Sequence, residues 1–208
     1  MIKSLQLAAL AFVLSGATAA PAQDYSAEAV AHNMTGQSRT MKVFVSQGKI
    51  RVEPVGALSY EILDTAKQTG YFVIPGKKLA VLQPPAMVLQ NGTSYSVGAT
   101  PCSKVAPPPS PPATCKKLGM DKVNGRPAEK WQLTQGNLKQ NFTSTVWVDR
   151  QLDAVVKAQS PRGTFALQNL HFGPQSANLF TVPAGFTTKT IAGMQRPVTL
   201  KGPSAGTH

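Results

Sequence analysis

Apolar side chains recur at every second position through most of this chain. That period fits a half-buried strand and is incompatible with an amphipathic helix, whose apolar face repeats every 3.6 residues. Met41, Val43 and Val45 share one parity against Lys42 and Ser46, with Phe44 as the exception. Ile50 and Val52 alternate with Lys49, Arg51 and Glu53, and Gln47-Gly48 supplies the turn between the two runs. Tyr60 to Leu63, Tyr71 to Ile74 and Leu79 to Leu82 continue the series, the last after Pro75-Gly76-Lys77-Lys78.

Further along, Asn124-Gly125 marks a tight hairpin turn, because both residue types tolerate the positive φ that primed turns require. Trp131 and Leu133 then alternate with Lys130, Gln132 and Thr134; Phe142, Val146 and Val148 alternate with Thr143, Thr145 and Asp149. Leu152 to Ala158 and Thr164 to Phe172 bring the expected total to about nine strands. Seventeen Gly and 17 Pro agree with a turn-rich chain, since Gly weakens helices by entropy and Pro removes a backbone donor. One short helix is predicted over residues 85–90, with Pro85 in its first turn and a stop at Asn91-Gly92.

The ends have a different composition. Lys3 precedes an apolar run containing Leu5, Leu7, Leu10, Phe12, Val13 and Leu14, too short to span a bilayer and followed by the small residues Ala17 to Ala22. Residues 1–22 are therefore expected to be a cleaved export leader, with no cysteine after the cut to take a lipid anchor. Residues 23–186 form the expected β domain. Residues 187–208, poor in large apolar side chains, are expected to be a disordered basic tail.

Export sets the reading of charge and cysteine. The whole chain carries a formal +12, and losing Lys3 with the leader leaves 20 basic residues against nine acidic. These charges fall in predicted turns and in the tail (Lys77, Lys78, Lys116, Lys117, Lys189, Arg196, Lys201), not interleaved with aromatics on one strand. Nucleic acid is thus not the expected partner, and an anionic membrane surface or acidic polymer fits an exported cation better. Cys102 and Cys115 are the two cysteines and should pair in an oxidising compartment. Their bridge would clasp a proline-rich loop of about a dozen residues, worth roughly 3 kcal/mol by loop-closure entropy. Their spacing is not the C-x-x-C of a redox pair.

Catalytic and cofactor signatures do not emerge. There is no G-x-S-x-G elbow, no H-E-x-x-H, no phosphate-binding glycine loop and no Cys/His metal cluster, so neither catalytic nor metal residues are assigned and no cofactor is expected. His32 and His171 sit in strand-like contexts, and Asp149 and Asp153 flank Arg150-Gln151 in what reads as a turn between strands.

Three blocks carry a family resemblance: Asp121 to Trp131 (DKVNGRPAEKW), Val146 to Leu152 (VWVDRQL) and Leu179 to Phe186 (LFTVPAGF). In that order they resemble the LolA/LolB-like superfamily of periplasmic lipoprotein carriers, over most of residues 25–186, and an uncharacterised branch of it. The resemblance implies a mainly β (α+β) fold: a strongly curved antiparallel sheet, an open half-barrel, with a few short helices covering its concave face over an apolar cavity. The proline-rich insertion between Cys102 and Cys115 and the scarcity of helix depart from that pattern.

An apolar concave face must be covered, because fully burying one large aliphatic or aromatic side chain is worth roughly 1.5–3 kcal/mol. Helices, the clasped loop or an acyl chain could do it. The function expected is non-catalytic periplasmic binding of a lipid or acylated protein, with Met41, Val43, Val45, Ile50, Val52, Trp131, Leu133, Val146 and Val148 as the lining. The same alternation would equally serve a sealed core. A second expectation is an envelope module that docks a partner protein or an anionic membrane through a sheet edge or the basic tail.

Overall fold

The computed structural model describes residues 22–102, 113–136 and 141–190. The expected leader, apart from Ala22, the contents of the proline-rich loop between 103 and 112, and residues 191–208 of the expected tail lie outside the described residues.

Twelve strands form one sheet: β1 (Tyr25–Asn33), β2 (Ser38–Ser46), β3 (Lys49–Pro54), β4 (Tyr60–Asp64), β5 (Thr69–Ile74), β6 (Leu79–Leu82), β7 (Thr114–Val123), β8 (Arg126–Gly136), β9 (Asn141–Asp149), β10 (Ala154–Ser160), β11 (Gly163–Phe172) and β12 (Thr187–Thr190). Their order is β12-β6-β5-β4-β3-β2-β1-β11-β10-β9-β8-β7. The sheet is curved but not closed, an open half-barrel with β12 and β7 at its edges. Every pair is antiparallel except β12 beside β6. Two sets of hairpins, β1 to β6 and β7 to β11, meet where the first strand pairs with the eleventh. Register shifts between Ser26 and Glu28, Lys117 and Gly119, and Val155 and Lys157 put an extra residue on one strand, which bends and twists it locally.

The turns follow the sequence chemistry. Asn124 and Gly125 both adopt positive φ, 51° and 77°, and Gln47-Gly48 does the same at 50° and 77°. Gly163 opens β11 at φ +139°, where an added Cβ would lie 1.9 Å from the carbonyl oxygen of His32. That close approach of two backbones admits only glycine.

Three strands went beyond the sequence expectation. The sheet's central strand, β1, buries Tyr25, Ala27 and Ala29, but alanines leave little hydrophobic contrast to detect. At one edge, β7 is largely exposed, and its lysines and bulge discourage pairing with another chain. The third corrects the tail: Thr187–Thr190, expected to be disordered, is β12, held alongside β6 with the Thr187 N–H donating to the Lys78 carbonyl at 2.8 Å. Its four side chains are all exposed, so backbone pairing to a free edge fixes it without apolar burial.

Two roofs cover the sheet on opposite faces. The helix α1 (Pro85–Gly92) packs on β4 and β5, where Val88 is buried against the cluster of Val43, Val45, Ile50, Val52 and Leu63. Its first residue is the predicted Pro85, and it runs through Asn91-Gly92. On the other face, a 3-10 turn at Ala177–Phe180 buries Phe180 with Tyr60, Ile62, Val73 and Ala80.

After α1 the chain continues as an irregular strap, residues 93–102, fastened to the β9–β10 turn and the start of β10. The Val155 N–H donates to the Ser94 carbonyl at 2.8 Å and the Val97 N–H to the Asp153 carbonyl at 2.9 Å. The Gly98 N–H donates to Asp153 Oδ1 at 2.8 Å. Arg150 grips the strap from the β9–β10 turn, donating Nη1 to the Gly98 carbonyl at 2.6 Å and Nη2 to the Ala99 carbonyl at 3.1 Å. The disulfide Cys102–Cys115, with Cα atoms 5.8 Å apart, ties the strap's end to β7.

Arg150 is in turn aimed by Glu129, which accepts its Nε at 2.7 Å and also holds Lys117 and the indole N–H of Trp131. Partial burial pushes the Glu129 carboxyl up. The hydrogen bonds from Lys117, Arg150 and Trp131, with the Arg150 charge, outweigh it and hold the group at about 2 instead of 4.5. The carboxylate therefore stabilises the fold fully above about 4.5, and this contribution is lost as pH falls toward 2. Thermal melts of Glu129→Gln should lie below wild type at neutral pH, with the gap closing progressively between pH 4.5 and 2; a gap independent of pH would contradict this account. Gly163→Ala should cost about 2 kcal/mol or more in denaturant unfolding, because the new methyl meets backbone on the neighbouring strand.

Candidate functional site

Directly opposed residues of an antiparallel pair point to the same face of the sheet. Phe165 stands opposite both Ala31 and Ala158, Ala158 opposite Val146, and Val146 opposite Trp131. Ala31 stands opposite Arg39, which shares its parity with Met41, Val43 and Val45. Val43 and Val45 face Val52 and Ile50. This row places all nine residues proposed from the sequence on one face, the face roofed by α1 and the strap.

They do not all meet in one place. Met41, Val43, Val45, Ile50 and Val52 pack into the large cluster with Tyr25, Leu63, Val88 and Tyr95, and Val43 and Ile50 have no exposed surface. Trp131, Leu133, Val146 and Val148 belong to a second cluster with Val97, Val155 and the two half-cystines. The first group is sealed by α1. Beside the second lies a hollow of about 310 Å3 between the strap and β8 to β11.

Of the nine, Leu133 and Val146 line that hollow. The rest of the lining was missed: Val97 and Pro101 from the strap, Val155 and Ala158 from β10, and Phe165 from β11. Alternation in β10 and β11 offered Val155, Ala158 and Phe165, but nothing local could have placed the strap over them. The polar members are Thr93, Ser94, Gln135 and Ser144, and no charged side chain is among them. Phe165 and Ala158 continue into an open groove of about 900 Å3 whose walls include His32, Arg39, Ser160 and Arg162.

Titratable groups elsewhere on this side are partly or wholly buried. Partial burial pushes the Glu61 carboxyl up, and hydrogen bonds to Asn91 of α1, at 3.2 and 3.4 Å, and to Gln83 only partly offset it. Tyr95 is pushed up by burial and then by Glu61, and Tyr25 is raised by burial, by Tyr95 and by the carboxylates of Asp153 and Asp149. Both phenols keep their protons at physiological pH. Asp149 is itself buried, accepting Arg126 Nε at 2.6 Å and the Gln151 N–H at 2.9 Å. Among the described residues, no three His, Cys, Asp or Glu side chains gather where they could share a metal ion. The hollow thus offers van der Waals contact and a few hydroxyl and amide dipoles, chemistry suited to a hydrocarbon chain.

No protein-family model matches the chain, and no curated protein matches it. Among solved structures it aligns with PNGF-II at 10% identity and a TM-score of 0.48, over 83% of this chain and 32% of that one, so it spans about a third of that protein's length. It also aligns with a putative outer membrane lipoprotein-sorting protein domain from Vibrio parahaemolyticus at 12% identity and a TM-score of 0.35, over 76% of this chain and 89% of that one. A LolA superfamily protein from Nitrosomonas europaea aligns at 7% identity and a TM-score of 0.34, over 77% of this chain and 91% of that one.

Proposed function

We propose that this protein binds the acyl chain of a lipid or of an acylated protein, without catalysis, in the hollow beneath the strap. The observation that supports it is the 310 Å3 space lined by Val97, Pro101, Leu133, Val146, Val155, Ala158 and Phe165. That volume lies at the lower end of the range typical of small-molecule sites, about 300–1,000 Å3, and suits one chain better than two. The disulfide fits an oxidising compartment, and with the leader-like residues 1–22 it supports a periplasmic setting.

Hydrocarbon entering this space would leave water for contact with aliphatic and aromatic side chains, gaining roughly 0.8 kcal/mol per methylene. Ligand affinity should therefore depend on chain length more than on any single polar contact. The remaining sequence-proposed residues, packed in the two clusters, would act by holding the sheet's shape around the hollow.

Lipid extraction of the purified protein followed by mass spectrometry should recover an acylated molecule. Titration with fatty acids of increasing length should tighten binding about fourfold per added methylene until the hollow is full. Ser144→Phe, which projects a ring into the space from β9 without removing a buried apolar contact, should weaken binding at least about tenfold while leaving circular dichroism unchanged. Chain-length-independent affinity, or full binding by the folded variant, would rule the hollow out.

A further inference from the structure

The row of opposed residues that enters the hollow begins at a cation. Arg39 of β2 faces Ala31, and the row then passes through Phe165 and Ala158 to Val146. Arg39 thus stands on the concave face, two strands from Phe165 of the apolar lining. Phe165 and Ala158 wall both the hollow and the open groove that holds Arg39, so the two spaces adjoin.

The groove has a one-sided chemistry. It is walled by Arg39, Arg162, His32 and small polar side chains beside Ala31, Ala158 and Phe165, and neither it nor the hollow includes an Asp or Glu. The basic residues paired to carboxylates lie elsewhere: Arg51, Lys67, Lys117, Arg126 and Arg150. Among the described residues Arg39 and Arg162 take part in no ion pair. The Arg162 guanidinium lies 4.2 Å from the Phe142 ring centroid, and its backbone N–H donates to Ser160 Oγ at 3.2 Å. Stacking leaves the donors at the rim of the guanidinium plane available to an anion.

Resting on the acyl-chain reading above, the geometry points to a single-chain anionic amphiphile as the ligand class: its chain in the hollow, its acid headgroup in the groove at Arg39 and Arg162. A headgroup charge would be heavily penalised inside the apolar hollow, so it must remain outside, in the groove that continues from Phe165 and Ala158. There two guanidinium groups match the oxygens of a phosphate or carboxylate, the strongest class of hydrogen bond available to either partner. A choline head would bring a second cation against the arginines and forfeit part of that gain.

Purified protein would be titrated, below the micellar range, with palmitoyl lysophosphatidylglycerol, palmitoyl lysophosphatidylcholine and palmitate. Wild type should bind the two anionic lipids about tenfold more tightly than the choline lipid, and the stronger of the two identifies the phosphate or the carboxylate as the preferred oxyanion. Arg39→Gln with Arg162→Gln should remove that preference, weakening the anionic lipids about tenfold and the choline lipid, whose phosphate gains less from the arginines, by clearly less; both side chains are exposed, so the double variant should keep its melting temperature. Equal binding of anionic and choline lipids by wild type, or a preference that survives the double variant, overturns the headgroup assignment. Ser144→Phe separates the two levels: if it weakens all three lipids while the preference is absent, the hollow stands and the arginine groove falls. If wild type binds none of the three, both fall.

Discussion

Everything on the concave side depends on how residues 93–102 are fastened. A strand pairing or a helix would satisfy its own backbone, but this segment is irregular, turning at both ends, and beyond its first turn it is held by hydrogen bonds to the β9–β10 turn and the start of β10. Arg150 and Asp153 hold its middle, and the disulfide to Cys115 holds its end. Backbone fixed at a few polar points spans its underlying sheet without filling it. Helix α1, by contrast, presses Val88 directly onto Leu63 and Gly70, where a Cβ on the glycine would come within 2.9 Å of both side chains. The two halves of one concave face therefore end differently: one sealed, one hollow.

The blocks that resemble lipoprotein carriers explain themselves within this frame. Arg126 of the first block pairs with Asp149 of the second; Glu129 of the first holds Arg150 of the second; Asp121 accepts the indole N–H of Trp147 at 2.9 Å. Asn124 donates across to the Leu167 carbonyl at 2.8 Å. The third block brings Leu179, Phe180, Val182 and Phe186 onto the opposite face of the sheet. These residues lock the β7–β8 hairpin to the β9–β10 turn and cover the outer sheet. What the motifs encode is the frame that supports the roof, and the apolar hollow is lined mostly by residues outside them.

That division sets how much could be read from the sequence. Alternation groups Met41, Val43, Val45, Ile50, Val52, Trp131, Leu133, Val146 and Val148 by parity within their strands, because side-chain direction in a strand is a local property, but it does not say which parity of each strand faces inward. It also led to the curved antiparallel sheet once the resemblance was in view. Local pattern failed where the signal was weak or absent: β1 buries alanines, β7 is an exposed edge, and β12 is four exposed residues held by backbone pairing alone. It failed more completely for the hollow. Whether Val43 touches α1 or Val146 touches empty space is decided by chain segments more than 40 residues away in the sequence, and no spacing within a strand reports that.

Size along the row completes the argument. Ala31, Ala158 and Ser144 are small side chains on the concave face of β1, β10 and β9, set among Phe165, Leu133 and Val146. Close packing penalises such gaps, since a void forfeits contacts on every side that lines it. A sheet selected only for stability would place larger aliphatic residues at these three positions or draw the strap closer. The strap cannot move inward freely, because Arg150, Asp153 and Cys115 fix its height over the sheet. Small residues beneath a roof held at fixed height leave volume, and Phe165 and Ala158 wall both that volume and the groove that holds Arg39 and Arg162.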